Sequence, residues 1–374
     1  MKIVIASDSF KGSMTSVEVA QAAEKGIHEV YPNCQIVSVN VADGGEGTVE
    51  AIVDALGGET VAARVADPLG RTIDARYGIA GNIAIIEMAA ASGLPLLKNE
   101  ERNPWLTSTY GTGEMIMDAI HRGCRNFLVG IGGSATNDAG TGMLQAMGYR
   151  FYDVDNQIIE RCTGGCLQDV VFIDDSLVPN EVRQSTFTIA CDVDTPFCGV
   201  DGAAHVFAPQ KGADIEMVKR LDVGMCALAK VIENKYNVNV VPVAGAGAAG
   251  GMGGAFYAFL HATLKKGIDM VLDAIDFDMT IQGADLVVTG EGKVDFQTAK
   301  GKTAAGVLAR AKQQHIPVIA IGGCVEMCDS LKQMGFAGIY PILEEKVPLD
   351  VAMQRDFAMS NVTKTLARVL KKVK

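Results

Sequence analysis

Residues 284–306, ADLVVTGEGKVDFQTAKGKTAAG, combine side chains that suit an anionic ligand and a metal ion. The apolar start predicts a buried strand. Gly290 and Gly292, on either side of Glu291, interrupt this strand. Lys302 then comes just before a helix pattern. A buried strand, a glycine-broken charged loop and a helix N-terminus are the parts of an anion site in an open α/β sheet. The alternative is an ordinary strand-to-helix loop.

Two loops near the start of the chain also place carboxylates after a predicted strand. The first, DSFKGS, carries Asp8, Ser9 and Lys11. The second, ADGGEGT, carries Asp43 and Glu46, three residues apart beside two glycines. Such a pair could bind Mg²⁺ directly or through its waters. The alternative is a helix N-terminus decorated with acidic residues, which the helix dipole favours in any case.

Two glycine-rich loops offer backbone N–H groups instead of charge. The loop at 130–140, GIGGSATNDAG, contains Gly132 and Gly133, followed by the polar side chains of Ser134, Thr136 and Asn137. Successive backbone amides at a helix start suit phosphate oxygens. The loop at 245–251 includes Gly247 and would shape a similar contact. The alternative for both loops is that glycine serves only close packing.

Neither loop type is a standard nucleotide motif. Gly301-Lys302-Thr303 resembles the end of a P-loop, but Phe296 stands where that pattern needs glycine. Residues 245–250 match GxGxxG after a predicted strand at 238–243. A dinucleotide site also needs an acidic residue about 20 positions on, at a strand end. Asp269 lies near that distance, but a helix pattern precedes it, which argues against this reading.

The loops together predict phosphoryl transfer, because they supply carboxylates for a metal or a base and cations to offset phosphate charge. Asp192, at the end of a further predicted strand, and Asp295 are the candidate bases. The cations that accompany them are Lys11, Arg71, Lys211, Lys293 and Lys302.

The elements that must position these loops predict a two-domain α/β protein. Predicted strands near 3–6, 35–41, 285–289, 317–321 and 337–342 alternate with helices. They indicate a flavodoxin-like five-stranded parallel sheet, with a second α/β domain inserted after strand two. The expected domains are 1–60 plus 270–374, and 61–269. We expect the ligand loops at the carboxyl ends of the strands and the inserted domain to close over them.

Composition limits the partners. The chain has 374 residues and a net charge of −11, which argues against nucleic acid or an anionic membrane as a partner. No apolar run reaches the length of a membrane span or signal peptide. The nine cysteines form no CxxC pair, which argues against structural zinc. We expect a cytoplasmic protein. The apolar residues Phe357, Val362 and Leu366 of the tail helix could cover the sheet or a second subunit of a homodimer.

The loops as a set resemble the type 1 glycerate kinase family, in order and over nearly the whole chain. The matching segments are DSFKGS at 8–13, ADGGEGT at 42–48, DPLGR at 67–71, EMAAASGL at 87–94, TSTYGTGE at 107–114, GIGGSATNDAG at 130–140, CDVDTP at 191–196, APQKGA at 208–213, GAGAAGG at 245–251 and TGEG to GK at 289–302. The chain departs from the family pattern at 194–197 and at 304–305, without losing a carboxylate or lysine.

The resemblance implies transfer of the γ-phosphoryl group of ATP to D-glycerate, with 2-phosphoglycerate as the product. From their chemistry, Asp43, Glu46 and Glu291 are expected to hold Mg²⁺. Phosphate contacts are expected from Gly290, Lys302 and the glycine loops, namely Gly132, Gly133, Ser134, Thr136, Asn137 and Gly247. Asp8, Ser9 and Arg71 are expected to bind glycerate, with Lys11 beside them and Asp192 or Asp295 as base.

Other functions remain open from sequence alone. Another hydroxy-acid or sugar-acid kinase would use the same loops. An NAD(P)-dependent oxidoreductase would use residues 245–250, and a sensor would bind the acid without turnover. Stabilisation by Mg²⁺-ATP or by NAD(H) separates the kinases from the oxidoreductase.

Overall fold

The computed structural model describes residues 1–45, 47–343, 345 and 347–373. The chain forms two compact units of mixed α/β structure. The first unit comprises Met1–Leu56 and Ile268–Lys374, and the second comprises Gly57–Gly267.

The strands, in chain order, are β1 (Lys2–Ser7), β2 (Gln35–Asn40), β3 (Glu59–Ala66), β4 (Thr72–Ala80), β5 (Ile83–Glu87), β6 (Asn126–Gly130), β7 (Arg150–Tyr152), β8 (Phe172–Asp174), β9 (Thr186–Ala190), β10 (Thr263–Lys265), β11 (Leu286–Val294), β12 (Val318–Val325) and β13 (Gly338–Pro341). The helices are α1 (Ser16–His28), α2 (Thr48–Leu56), α3 (Ala89–Ser92), α4 (Tyr110–His121), α5 (Thr141–Ala146), α6 (Asn180–Arg183), α7 (Ala203–Phe207), α8 (Ile215–Tyr236), α9 (Ala248–Leu260), α10 (Gly267–Ala274), α11 (Phe277–Thr280), α12 (Thr303–Gln313), α13 (Asp329–Met334), α14 (Leu349–Ala352) and α15 (Arg355–Val373). Short 3₁₀ segments lie at Leu94–Leu96, Asn99–Glu101, Gly164–Asp169, Pro209–Lys211 and Thr298–Lys300.

The sheet of the first unit runs β13-β12-β11-β1-β2 in the described residues, and all neighbours are parallel. Parallel strands end at the same edge of a sheet, so the loops after β1, β2, β11 and β12 share one edge. Both faces of the sheet are covered. In β1, Ile3 and Ile5 pack into one hydrophobic cluster, whereas Val4 and Ala6 pack into another. This alternation explains the uninterrupted apolar run that predicted the strand.

The sheet of the second unit runs β10-β9-β6-β5-β4-β3. Its β3, β4 and β5 are antiparallel, whereas β5, β6, β9 and β10 are parallel. A separate antiparallel pair joins β7 and β8. The parallel half brings the segments after β5, β6 and β9 to one edge, and these segments carry residues 88–95, 130–140 and 191–196.

One predicted strand is wrong. Residues 238–243 form no strand; they follow the left-handed Asn237 that ends α8, and Pro242 lacks a backbone donor. Val240 is fully buried in the core of the second unit, so the apolar pattern reflects packing and not sheet pairing. The GxGxxG segment at 245–250 therefore has no strand directly before it, which removes a requirement of the dinucleotide motif.

The tail helix packs within its own unit. Val362 and Leu366 are fully buried in the cluster that also holds Ile3 and Ile5. Val362 and Leu366 therefore cover the sheet, which is the first of the two alternatives, whereas Phe357 is only partly buried. Within the described residues, no helix combines the length and apolarity needed to cross a bilayer.

Candidate active site

The carboxyl edge of the first sheet brings together residues from both ends of the chain. Ser7 at the end of β1 pairs with Gly290 in β11, and Gly290 also pairs with Ile321 in β12. A side chain at Gly290 would meet Ile321 at 2.8 Å, so glycine is required there by packing. Asp8 follows directly after β1, and its backbone N–H donates to the Gly290 carbonyl at 2.9 Å.

Asp8 is a buried carboxylate fixed by two donors. Its Oδ1 accepts the Ser9 N–H at 2.7 Å, and its Oδ2 accepts the Thr303 hydroxyl at 2.9 Å. Burial, and then repulsion from Asp43, raises the pKa of Asp8 above its ordinary value, although the hydrogen bonds and Lys11 oppose this. The negative charge at this position is therefore costly in the absence of a nearby cation.

Glu291 is the second buried carboxylate, with 6% of its surface exposed. The hydroxyl of Thr298 donates to its Oε1. Burial raises the pKa of Glu291 to about 7, and the charges of Asp8 and Asp43 add to that rise. Thr298 and Lys302 act in the opposite direction. Asp8, Asp43 and Glu291 thus form one electrostatically coupled group, called the carboxylate group below.

Lysines surround the carboxylate group. The Lys11 ammonium lies 3.9 Å from Asp43 Oδ2, and Lys302 stands at the N-cap of α12. Lys293 pairs with Asp295 at 3.3 Å and with Glu326 at 2.9 Å. Burial would raise the pKa of Asp295, but the Gln297 amide and Lys293 outweigh it, so the pKa is lowered. A carboxylate with a lowered pKa binds a proton weakly, so Asp295 is a poor candidate for the general base.

A cavity of about 740 Å³ opens on this edge. In the described residues, its charged lining comprises Asp8, Lys11, Asp43, Glu291, Lys293, Lys302 and Glu345, with Ser9 beside Asp8. All of its lining residues belong to the first unit. The volume is in the range of small-molecule sites, and the mixture of carboxylates and ammonium groups suits a metal-bound polyanion.

The donor set fits magnesium in the way that phosphate-transferring sites hold it. Among the described residues, no group of three or more His, Cys, Asp or Glu side chains is close enough to form a complete metal cage. Mg²⁺ rarely needs one, because it keeps several waters and binds one or two carboxylates plus substrate phosphates. The mutually repelling carboxylate group offers such ligands. Glu46, the remaining predicted ligand, lies outside the described residues.

In the second unit, the loop after β6 is organised by Asp138, which is fully buried. Asp138 accepts from the Thr109 N–H at 2.8 Å and the Thr109 hydroxyl at 2.7 Å. It also accepts the N–H groups of Gly140 and Gly142, each at 3.2 Å. Burial raises its pKa against the effect of these donors. One carboxylate thus joins the glycine-rich loop to the start of α4 and α5.

Lys211 reaches the same loop from the segment after α7. It is almost completely buried, and its ammonium donates to Ser134 Oγ at 2.7 Å and to the Thr136 carbonyl at 2.6 Å. Burial lowers the pKa of Lys211 to about 7, although the charge of Asp138 acts in the opposite direction. A buried lysine with this pKa changes charge in the physiological range.

The predicted phosphate contacts in the second unit differ in exposure. Gly132 and Gly133 are exposed, whereas Ser134, Thr136 and Asn137 are buried. Gly247 is also buried, and a Cβ there would lie 2.1 Å from the Pro196 carbonyl oxygen. Only the first two residues of this set present their backbone to solvent, and the others support the loop from behind.

Arg71 and Asp192 complete the predicted set. Arg71 already pairs with Asp67 and, at 2.7 Å, with Glu101. To bind the glycerate carboxylate, Arg71 would have to share its N–H donors between glycerate and these two side chains, or exchange one of them for glycerate. Asp192 is exposed after β9, and its Oδ1 accepts the Gly267 N–H at 2.9 Å.

The pKa of Lys211 leads to a pH-dependent stability. The folded chain releases this proton near pH 7, whereas an ordinary lysine keeps it to about 10.5. Between these values the unfolded state binds more protons, so the stability contributed by this site rises with pH, by up to about 1.4 kcal/mol per unit. We expect the stability difference between wild type and Lys211→Met to rise from pH 7 to 10.

This difference can be measured by urea unfolding followed through the single tryptophan, Trp105, which lies in the second unit. Lys230→Met is the matched control, because Lys230 is exposed on α8. Its difference from wild type should stay constant with pH. A constant difference for Lys211→Met as well would contradict the shifted pKa.

Sequence reasoning missed three supporting residues and the role of a fourth, Lys211, which it named only as a cation. Thr298 and Thr303 bind Glu291 and Asp8, and Asp138 and Lys211 organise the glycine-rich loop. All four lie inside or beside segments that the sequence analysis singled out. The available signal was a hydroxyl or charged residue within a predicted ligand loop. The sequence did not indicate which residue it would bind.

Comparisons with known proteins decide between the remaining functions. The profile of the glycerate kinase family matches residues 3–374. The chain is 45% identical to the glycerate kinase of Halalkalibacterium halodurans, over 98% of this chain and 97% of that one. The chain belongs to the glycerate kinase family. It is also 44% identical to the glycerate 2-kinase of Escherichia coli, over 98% of each chain.

A solved structure supports the same assignment. It is a Salmonella typhimurium LT2 protein assigned as glycerate kinase 2, with a TM-score of 0.91 and 42% identity, covering 100% of this chain and 98% of the other. As a glycerate kinase family member, the protein is a phosphotransferase with an alcohol acceptor. The oxidoreductase and sensor alternatives are therefore set aside.

Proposed function

We propose that the protein transfers the γ-phosphoryl group of ATP to D-glycerate and forms 2-phosphoglycerate. The observation that carries this proposal is the 44% identity, over 98% of both chains, to a protein named glycerate 2-kinase. The carboxylate group and its lysines supply the chemistry that the reaction needs, namely metal ligands and cations at one cavity.

The roles in the first unit follow from charge and burial. Asp43 and Glu291, with Glu46, would hold Mg²⁺, which would offset charge on the transferring phosphoryl group. Lys302 and the backbone near Gly290 would face the phosphates, and Lys11 would neutralise charge beside Asp43. Asp8 and Ser9 would orient the glycerate hydroxyls. Loose phosphoryl-transfer transition states need mainly such positioning and electrostatic stabilisation.

The roles in the second unit are contacts to anionic groups. Gly132 and Gly133 present exposed backbone to a phosphate, while Ser134, Thr136, Asn137 and Gly247 hold the loops in shape. Arg71 would bind the glycerate carboxylate with two parallel N–H donors. We also propose that the first unit is a flavodoxin-like domain and that the second is inserted in its sequence after β2.

Asp192 is our preferred base for the hydroxyl proton, because Asp295 is held by Lys293 and has a lowered pKa. General bases contribute about 10²–10⁴-fold to a rate. Asp192→Asn is expected to lower kcat by about 10²-fold with little change in KM for glycerate. Asp295→Asn is the matched comparison and should lose less. Near wild-type kcat in both folded variants would show that neither acts as a strong base.

The reaction itself can be tested by phosphorus NMR with the purified protein, ATP, Mg²⁺ and D-glycerate. Appearance of 2-phosphoglycerate and ADP is the expected result. Formation of 3-phosphoglycerate would retain the kinase but overturn the proposed regiochemistry and the roles of Lys11 and Arg71. Absence of any phosphoglycerate from folded protein, with turnover of another hydroxy acid, would overturn glycerate as the substrate.

A further inference from the structure

We propose that the apolar part of the cavity lining in the first unit binds the nucleobase of ATP, so that the nucleotide lies along the carboxyl edge of this sheet. The inference rests on the proposed use of ATP. It assigns a site separate from the glycine loops of the second unit, whose backbone N–H groups suit phosphate oxygens.

The cavity lining combines two kinds of side chain. One part is charged and holds the carboxylate group with Lys11 and Lys302. The other part consists mainly of aliphatic and thioether side chains, together with the exposed Glu345; the apolar residues are Val325, Ile342, Leu343, Leu349 and Met353. These residues come from the end of β12, the segment after β13, and α14 with its C-cap. None of them belongs to the glycine-rich segments that predicted the charged end.

Met353 connects the apolar and charged parts of the lining. A Cβ placed on Gly12 would lie 2.8 Å from the Met353 methyl carbon, so the thioether reaches the loop that carries Lys11. Met353 and Leu349 remain 37% and 75% exposed, so part of the apolar wall faces open space. Flexible, polarisable methionine side chains adapt well to planar ligands.

Charge complementarity selects the occupant. Glycerate has three carbons and would leave most of the 740 Å³ cavity unfilled, with nothing to match its apolar wall. A nucleoside triphosphate has an anionic end for the lysines and bound Mg²⁺, and a planar end for the apolar wall. Ligand sites commonly combine such an apolar lining with a few polar groups that fix orientation.

The test compares Met353→Asn with Met279→Asn, using calorimetric binding of ADP with Mg²⁺. Both substitutions replace an exposed methionine in the first unit, but Met279 does not line the cavity. Met353→Asn is expected to raise the Kd for ADP about tenfold, and Met279→Asn to leave it unchanged, because small changes in an apolar pocket alter affinity by 10-fold or more.

Two ligands that each carry one part of the nucleotide test the apolar and charged parts of the lining separately. Adenosine, which lacks phosphates, should lose affinity in Met353→Asn, whereas inorganic tripolyphosphate should bind both variants like wild type. Equal Kd values for ADP in all three proteins would overturn the inference, as would a loss confined to tripolyphosphate. Weakened ADP binding in Met353→Asn would support it even if glycerate proved not to be the acceptor, because binding is measured without turnover.

Discussion

Glu291→Gln is expected to lower kcat/KM for phosphorylation of glycerate by about 10²–10³-fold. Loss of one preorganised electrostatic contact in a desolvated site typically costs this much. Glutamine keeps the size of the side chain and an oxygen that can accept the Thr298 hydroxyl, but it removes the charge. The expected cause is therefore weaker magnesium binding, visible as a higher Mg²⁺ concentration for half-maximal rate in an ADP-release assay.

Measuring the stability of Glu291→Gln distinguishes a loss of magnesium binding from unfolding. Burial raises the pKa of Glu291, so its ionised form destabilises the folded protein above pH 7. The neutral variant should therefore be as stable as wild type at pH 8, or more stable. Glu29→Gln is the control, because Glu29 is exposed at the end of α1, and its kcat/KM should stay near wild type. Wild-type activity of Glu291→Gln at every Mg²⁺ concentration would exclude Glu291 as a ligand.

Sequence alone identified the first sheet well because its central strands β1 and β11 are largely buried. Uninterrupted apolar runs such as Leu286–Val288, followed closely by a glycine, favoured strands, and the helices between them show ordinary helical periodicity. The same argument failed at 238–243, where an apolar run serves packing without a strand partner. The three-residue strands β7, β8 and β10 were missed, because so short a segment carries no periodicity.

The residue types of the candidate site were also predictable, but their partners were not. Glycine beside Asp43 and Glu291, and Gly12 four residues after Asp8, indicated charged loops at strand ends. That Thr303 would bind Asp8, 295 residues away, depends on the parallel pairing of β1 with β11. The contact of Lys211 with Ser134, 77 residues away, depends on tertiary packing in the same way. Spacing in the sequence does not encode such contacts.

Asp138→Ala is expected to destabilise the second unit by about 3–5 kcal/mol, the range for breaking a buried charged network. The substitution leaves the Thr109 N–H and hydroxyl without their acceptor, together with the N–H groups of Gly140 and Gly142. Each unsatisfied buried donor costs about 1–3 kcal/mol, partly recovered by water entry. The stability of Asp138→Asn should lie between those of wild type and Asp138→Ala, because the asparagine amide keeps one accepting oxygen.

Urea unfolding followed by the fluorescence of Trp105 isolates this effect, because the only tryptophan of the chain belongs to the second unit. The exposed Asp201 supplies the control, and Asp201→Ala should change the free energy of unfolding by less than about 0.5 kcal/mol. An unchanged midpoint for Asp138→Ala would mean that the loop does not depend on this carboxylate. The expected loss would instead show that Asp138 stabilises the loop that follows Gly132 and Gly133, through its bonds to Thr109 and Gly140.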